Sequence, residues 1–203
     1  PMFPSTIAEI SFGEGVTRIP ECFLGGNSVI TSIVIPEGVT EIGQWAFRNA
    51  TALASITLPD SLESFGAYAD NAMTFMGTKI TSIVIPDKVT EMPRNMFARC
   101  NELVSITYGS GITQANYVAS AALPKLAEII FTSTMPPTIS ADFLEEQTIA
   151  TLQIKVPAAA VDAYKAAENW TAYADRIVAN TETAAASAAM PEALPAPSSK
   201  DEL

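Results

Sequence analysis

The side chains of this chain best suited to acid–base chemistry are carboxylates that recur at regular intervals. Six of them stand beside turns: Glu37, Glu41, Asp60, Glu63, Asp87 and Glu91. Two carboxylates can hydrolyse a glycosidic bond, one as the acid and the other as the base or nucleophile. Because these six follow the period of a sequence repeat, their spacing favours solvated turn faces over a catalytic pair. The chain contains no histidine, so it lacks the usual general base and the commonest zinc ligand.

The charge balance argues against two classes of partner. The chain has 22 acidic and 11 basic residues among 203, a net charge of −11, and no basic cluster. Nucleic acids and anionic membranes both need Lys and Arg gathered on one face. No apolar run reaches the roughly 18 residues of a membrane-spanning helix, and no signal peptide is recognisable in the first residues, PMFPSTIAEI. We predict no nucleic-acid partner, no membrane insertion, no metal and no cofactor.

A repeated heptamer, ITSIVIP, stands at 30–36 and again at 80–86. It belongs to a pattern, apolar-x-x-apolar-x-apolar, whose copies begin at residues 7, 30, 53, 80, 103, 126 and, in a degenerate form, 151. The steps between them are 23, 23, 27, 23, 23 and 25 residues. A fixed period of this length indicates stacked repeats. The longer step implies an insertion of four residues, which we place in the segment DNAMTFMGTK at 70–79.

Each copy alternates as a β-strand does, with Ile33 and Ile35 on one face and Ser32 and Val34 on the other. A second apolar pair and an aromatic corner follow, the corner being Phe23, Phe47 or Phe97. One copy cannot bury its own apolar side chains, whereas stacked copies can. The sequence therefore predicts a β-rich solenoid of about six to seven coils with parallel strands. Equivalent side chains should share one buried column: Ile33, Ile56, Ile83 and Ile106.

The stretch ITSIVIPEGVTEIGQWAFRNATALASITLP at 30–59 resembles the BspA-like (Treponema-type) leucine-rich repeat. In that family L-x-x-I-x-I-P is followed by V-x-x-I-G and then A-F-x-x-C. Ala46-Phe47 matches the corner, and Met96-Phe97 with Cys100 matches it with Met in place of Ala. The resemblance implies a right-handed leucine-rich-repeat stack, as in surface proteins of gut Bacteroidetes, and adhesion to host or neighbouring-cell components.

The chain divides into three segments. Residues 1–157 are the predicted solenoid, and 158–180 are a predicted helical cap that covers the open edge of the last strand. Residues 181–203 are rich in Ala, Ser and Pro, which is typical of a disordered tail. The tail ends in Lys200, Asp201, Glu202 and Leu203, the retrieval address of the endoplasmic reticulum. That address has meaning only in a eukaryotic secretory pathway, and a chance match is the alternative.

The two cysteines are predicted to be small buried thiols. Cys100 follows Phe97 at the corner, and Cys22 is aligned with Ala46 and Met96, whose columns point inward. Three coils separate Cys22 from Cys100, about 14 Å at the spacing of strands. A disulfide needs Cα atoms within about 7 Å, so we predict no bond between them.

The outward strand positions are the candidate ligand-facing surface: Ser32, Val34, Ser55, Thr57, Ser82, Val84, Ser105 and Thr107. The alternative is that Ser, Thr and Val are simply good neighbours in a parallel sheet. We predict a non-enzymatic module, at the cell surface or secreted, that binds an extracellular protein or glycan. Two alternatives remain open: a structural spacer or stalk without its own ligand, and a lumenal protein of the endoplasmic reticulum.

Overall fold

The computed structural model describes residues 3–66, 72–118, 123–144 and 151–181. Within these ranges the chain forms short strands joined by turns, and a small helical segment near residue 160. The strands are β1 (Arg18–Ile19), β2 (Ser32–Val34), β3 (Glu41–Ile42), β4 (Ser55–Thr57), β5 (Ser82–Ile85), β6 (Glu91–Met92), β7 (Ser105–Tyr108), β8 (Gln114–Ala115), β9 (Glu128–Phe131), β10 (Thr138–Ile139), β11 (Gln153–Pro157) and β12 (Ile177–Asn180).

The strands of the repeated heptamer pair in parallel, one coil on the next. Ile33 of β2 lies opposite Ile56 of β4, and Ile83 of β5 lies opposite Ile106 of β7. All four are buried and belong to one core cluster that runs through the molecule. The predicted parallel-strand solenoid, with about six turns, is confirmed.

A second wall of strands follows the turn that ends each heptamer. β1 pairs with β3, and β6, β8 and β10 form a separate three-stranded sheet. These strands are only two residues long, and each places one side chain in the core, such as Ile42 or Met92. The apolar interior therefore lies between two walls and the corner that connects them.

The corner is built around a stack of phenyl rings. The ring centroids of Phe47 and Phe75 are 5.8 Å apart and those of Phe75 and Phe97 are 6.0 Å apart, with interplanar angles of 5° and 6°. Phe75 is a corner residue that the sequence alignment missed. Backbone hydrogen bonds also place Leu24, not Phe23, at the corner position of the first coil. The backbone N–H of Leu24 donates to the carbonyl oxygen of Ala46 in the next coil, just as the N–H of Phe47 donates to that of Thr74. The predicted role of Phe23 is therefore wrong by one residue.

The irregular step in the repeat interrupts both walls. The backbone N–H of Ile42 donates to Ser64, 22 residues on, whereas the N–H of Trp45 donates to Ala72, 27 residues on. The extra residues thus lie between Ser64 and Ala72, mostly before the segment 70–79 in which the insertion is predicted. The first wall divides here into a β2–β4 pair and a sheet ordered β5-β7-β9-β11-β12. The second wall divides at the same level, beside a cleft of about 140 Å³ lined by Phe65 and Glu91.

The first copy of the pattern, at 7–12, does not form the predicted strand. Two hydrogen bonds hold the beginning of this segment. The side-chain amide of Asn27 donates to the carbonyl oxygen of Ile7 at 2.8 Å, and the backbone N–H of Ser28 donates to that of Ser5 at 3.0 Å. Beyond that point Phe12 stacks on Phe23, with ring centroids 5.9 Å apart. The large ring of Phe23 takes the place of the small Ala46 of the next coil, which explains why this segment departs from the regular path.

The C-terminal segment closes the stack with a helix and one more strand. The helix α1 (Val161–Ala166) and a 3-10 turn (Trp170–Arg176) bring Tyr164 and Trp170 onto the core, where both are fully buried. β12 then pairs in parallel with β11. The hydrogen-bonding edge of β11 is therefore covered by a strand, whereas the sequence assigned that role to the helical segment.

Candidate functional site

The candidate site is the outward surface of the first wall, defined by alternate residues of its strands. Ser32 lies opposite Ser55, and Val34 lies opposite Thr57. The same two columns continue on the next strands, where Ser82 lies opposite Ser105 and Val84 opposite Thr107. The structure thus brings the eight predicted positions onto one face, as two groups of four separated by the interruption between β4 and β5. We call this surface the strand face.

Exposure differs between the two valines and the two threonines. Val34 and Val84 expose 62% and 52% of their surface, whereas Thr57 and Thr107 are half-buried. The valines lie on β2 and β5, the strands at which the two hydrogen-bonded sheets begin. Val84 is thus a second exposed apolar position, about halfway along the strand face.

The strand face is uncharged in its middle and charged toward β11. Lys155 and Glu128 form an ion pair of 2.6 Å, and both side chains are mostly buried. No charged residue stands among the eight candidate positions. A ligand on this part of the surface would meet hydroxyl groups and methyl groups. This is the chemistry of hydrogen bonds and apolar contact, since no charge is available to steer a partner.

At the other end, a cleft of about 750 Å³ separates the segment 8–12 from β2. Its walls include Ile10, Phe12, Ile33 and Val34. The cleft exists because the segment 7–12 does not pair with β2, and it extends the strand face with partly exposed apolar side chains.

Three of the recurring carboxylates, Glu37, Glu41 and Asp87, form contacts between coils. Glu37 accepts a hydrogen bond of 3.0 Å from the backbone N–H of Asp60, and Asp87 accepts one of 2.6 Å from that of Ser110. In each case the donor lies one coil further on. Glu41 pairs with Arg18 of the preceding coil at 3.1 Å. Three of the six recurring carboxylates therefore bridge successive coils at the turns, and among the described residues no group of three or more His, Cys, Asp or Glu side chains is placed to hold a metal.

The two cysteines are both unpaired, as predicted, but they differ in environment. Cys100 is fully buried and its thiol donates to the carbonyl oxygen of Phe75 at 3.0 Å. Burial raises the pKa of this thiol, which keeps it protonated. Cys22 is only half-buried, so the predicted inward position is wrong. Its backbone φ of 55° matches that of Trp45 at 59°, which shows that Cys22 occupies the corner position of Trp45 and not that of Ala46.

The repeat period, the paired walls and the corner stack define a leucine-rich-repeat solenoid. The chain belongs to the family described as BspA type leucine rich repeat region, whose model matches residues 17–150 in six copies. No curated protein matches the chain in sequence. No helix within the described ranges is long and apolar enough to cross a membrane.

Two solved structures resemble this chain in fold. One is the pneumococcal vaccine antigen PcpA, with 19% identity and a TM-score of 0.59, over 87% of this chain and 41% of that chain. The other is a leucine rich cell surface protein from Faecalibacterium prausnitzii A2-165, with 17% identity and a TM-score of 0.44, over 83% of this chain and 64% of that one. The chain therefore spans less than two thirds of either protein. At these identities the first likeness shows the fold alone.

Proposed function

We propose that the chain is a non-enzymatic binding module that holds an extracellular protein or glycan partner on the strand face, at a cell surface or in secreted form. The observation that carries this proposal is the pair of exposed valines, Val34 and Val84, on an otherwise hydroxyl-bearing and uncharged surface. The likeness of the fold to the pneumococcal vaccine antigen PcpA agrees with an extracellular setting.

The geometry suits binding for a physical reason. The strand face is built from paired backbones and a continuous core, so its side chains are already fixed before a partner arrives. A rigid surface avoids the ordering entropy that a loop or a disordered segment loses on binding. An extended face of repeats also allows many weak contacts to act together.

A double substitution tests the proposal. Val34→Lys with Val84→Lys should abolish or strongly weaken retention of the partner found in a screen of extracellular-matrix proteins and glycans. Each lysine replaces an apolar contact with a strongly hydrated charge, and their side chains have solvent to point into, so the fold should persist. The matched control is Thr17→Lys with Thr90→Lys, which adds the same charge at exposed positions beside the second wall. Equal binding by both double variants would exclude the strand face.

A spacer without its own ligand is the second candidate. It is favoured by the ring stack from Phe47 to Phe97, which continues through the interruption of the walls and joins the two parts of the array. A spacer would retain none of the matrix proteins or glycans in the screen, and the wild type and the double variants would behave alike. The retrieval function of Lys200–Leu203 stays a prediction, because these residues lie outside the described ranges.

A further inference from the structure

A second cavity lies at the corner of the first two coils, away from the strand face. It has a volume of about 310 Å³, and its lining includes Cys22, Gly25, Gly26, Trp45 and Arg48. The sequence explains its presence. Where the second coil carries the large side chains of Trp45 and Arg48, the first coil carries cysteine and glycine, so the large groups overhang a space that the small ones leave open.

The donors of this cavity lack acceptors. The indole nitrogen Nε1 of Trp45 and the nitrogen Nε of Arg48 are shielded from solvent, and neither has a hydrogen-bond acceptor among the described residues. Buried donors normally have one, so an unfilled pair at one cavity indicates that something else supplies the acceptor. Arg48 lies over the Trp45 ring, with its guanidinium carbon 5.7 Å from the ring centroid, which holds the two groups together.

The charge of the cavity is opposite to that of the chain. Arg18 and Arg94 pair with Glu41 and Asp142, whereas Arg48 forms no ion pair with any residue that the structure describes. The lining contains no carboxylate. In a protein with a net charge of −11, this is a local cationic site beside an aromatic ring. A guanidinium presents a planar fork of donors that matches a carboxylate in shape and charge.

We propose that this corner cavity binds a carboxylate-bearing ligand of monosaccharide size. The carboxylate accepts from Arg48 and from the indole N–H of Trp45 after a small rotation of the two side chains exposes the shielded nitrogens, and the body of the ligand rests over Gly25 and Gly26, where no side chain intervenes. A uronic acid has this chemistry, and so does the acidic side chain of a peptide. The site does not depend on the strand face, and either can exist without the other.

The indole N–H signals of the whole chain test the proposal in a two-dimensional ¹H–¹⁵N spectrum. The chain has two tryptophans; Trp45→Phe assigns the signals, and Trp170, which is fully buried in the cap, reports that each variant is folded. Sodium glucuronate should move the Trp45 signal saturably and leave the Trp170 signal in place. Glucose, which has the same ring without the carboxylate, should move neither.

Substitutions at arginine decide the role of the guanidinium. Arg48→Gln should weaken glucuronate binding at least tenfold, and Arg48→Lys, which keeps the charge but loses the fork, should also weaken it. Arg99→Gln is the matched control, because Arg99 is an exposed corner arginine outside the cavity. The α-amide of N-acetyl-L-glutamic acid, whose one carboxylate is that of the side chain, distinguishes the sources: tighter binding than glucuronate assigns the site to an acidic side chain. The proposal is overturned if neither carboxylate moves the Trp45 signal, if glucose moves it equally, or if both Arg48 variants bind as the wild type does.

Discussion

Removing the ring of Phe75 is the most direct test of how the coils hold together. Phe75 is fully buried and contacts three other rings, those of Phe47, Phe65 and Phe97, at centroid distances of 5.8, 5.9 and 6.0 Å. A buried Phe→Ala substitution costs about 3–5 kcal/mol. Each aromatic pair contributes about 0.5–1.5 kcal/mol beyond the burial of its area, so Phe75→Ala should lie at the upper end, about 4–5 kcal/mol. Urea-induced unfolding measures the loss as a lower midpoint of the transition that Trp45 reports.

The matched control is Phe12→Ala. Phe12 is half-buried and stacks on one ring, that of Phe23, so its loss should cost about 1–2 kcal/mol on the same reasoning. Because a repeat contacts only its neighbours, Phe75→Ala should also separate the unfolding transition reported by Trp45 from that reported by Trp170. If Phe75→Ala costs no more than Phe12→Ala, the rings do not join the coils and the reasoning fails.

Three further outcomes follow from buried groups and close backbone approaches. Cys22 should react with a thiol reagent in the native protein, whereas Cys100 should react only on unfolding, as mass spectrometry of labelled peptides would show; equal rates would contradict the assigned environments. Gly111→Ala should destabilise the fold by about 3 kcal/mol, because the added methyl group would collide with the carbonyl oxygen of Asp87. Gly13→Ala is its control, since nothing lies within 4 Å of the added atom, and a similar midpoint for both would be evidence against the close approach. Burial raises the pKa of Tyr108, so the folded state keeps a proton that the unfolded state loses above about pH 10. The free energy of unfolding should be insensitive to this group below that pH and fall above it, by up to about 1.4 kcal/mol per pH unit, and Tyr108→Phe should remove that part of the slope in urea titrations.

The regular part of the fold is predictable from the sequence because the repeat period and the strand alternation both specify it. Register follows once Ile33, Ile56, Ile83 and Ile106 are placed in one column. The corner is less predictable, since Phe23 and Leu24 are both apolar and only the backbone hydrogen bonds show which of them takes the place of Phe47.

The ends of the array departed most from prediction. The segment 7–12 has the strand pattern, but its packing against Phe23 overrides that local preference. At the other end, the helical periodicity of Val161 and Tyr164 predicts a helical cap up to residue 180, whereas Ile177–Asn180, which begins with the β-branched pair Ile177-Val178, forms β12. In both cases tertiary neighbours decided the outcome, as they commonly do for short strands.

The candidate site was predictable in position but not in character. Alternation identified the outward residues of the strand face, whereas the greater exposure of Val34 and Val84 than of Thr57 and Thr107 is visible only in the structure. The corner cavity gave a fainter signal: Cys22, Gly25 and Gly26 are small where the following coil has Trp45 and Arg48, a contrast visible only after the alignment is corrected by one residue.

The interruption between β4 and β5 has a mechanical consequence. Hydrogen-bonded ladders resist the sliding of one strand past the next, whereas stacked rings can rotate on one another with little loss of contact. Torsion applied to the array should therefore concentrate at this level, where the ring pair Phe75–Phe97 and corner hydrogen bonds from Phe75 to Met96 and from Gly77 to Ala98 carry the connection. A partner that contacts both Val34 and Val84 would bridge the two sheets and stiffen the array at this level.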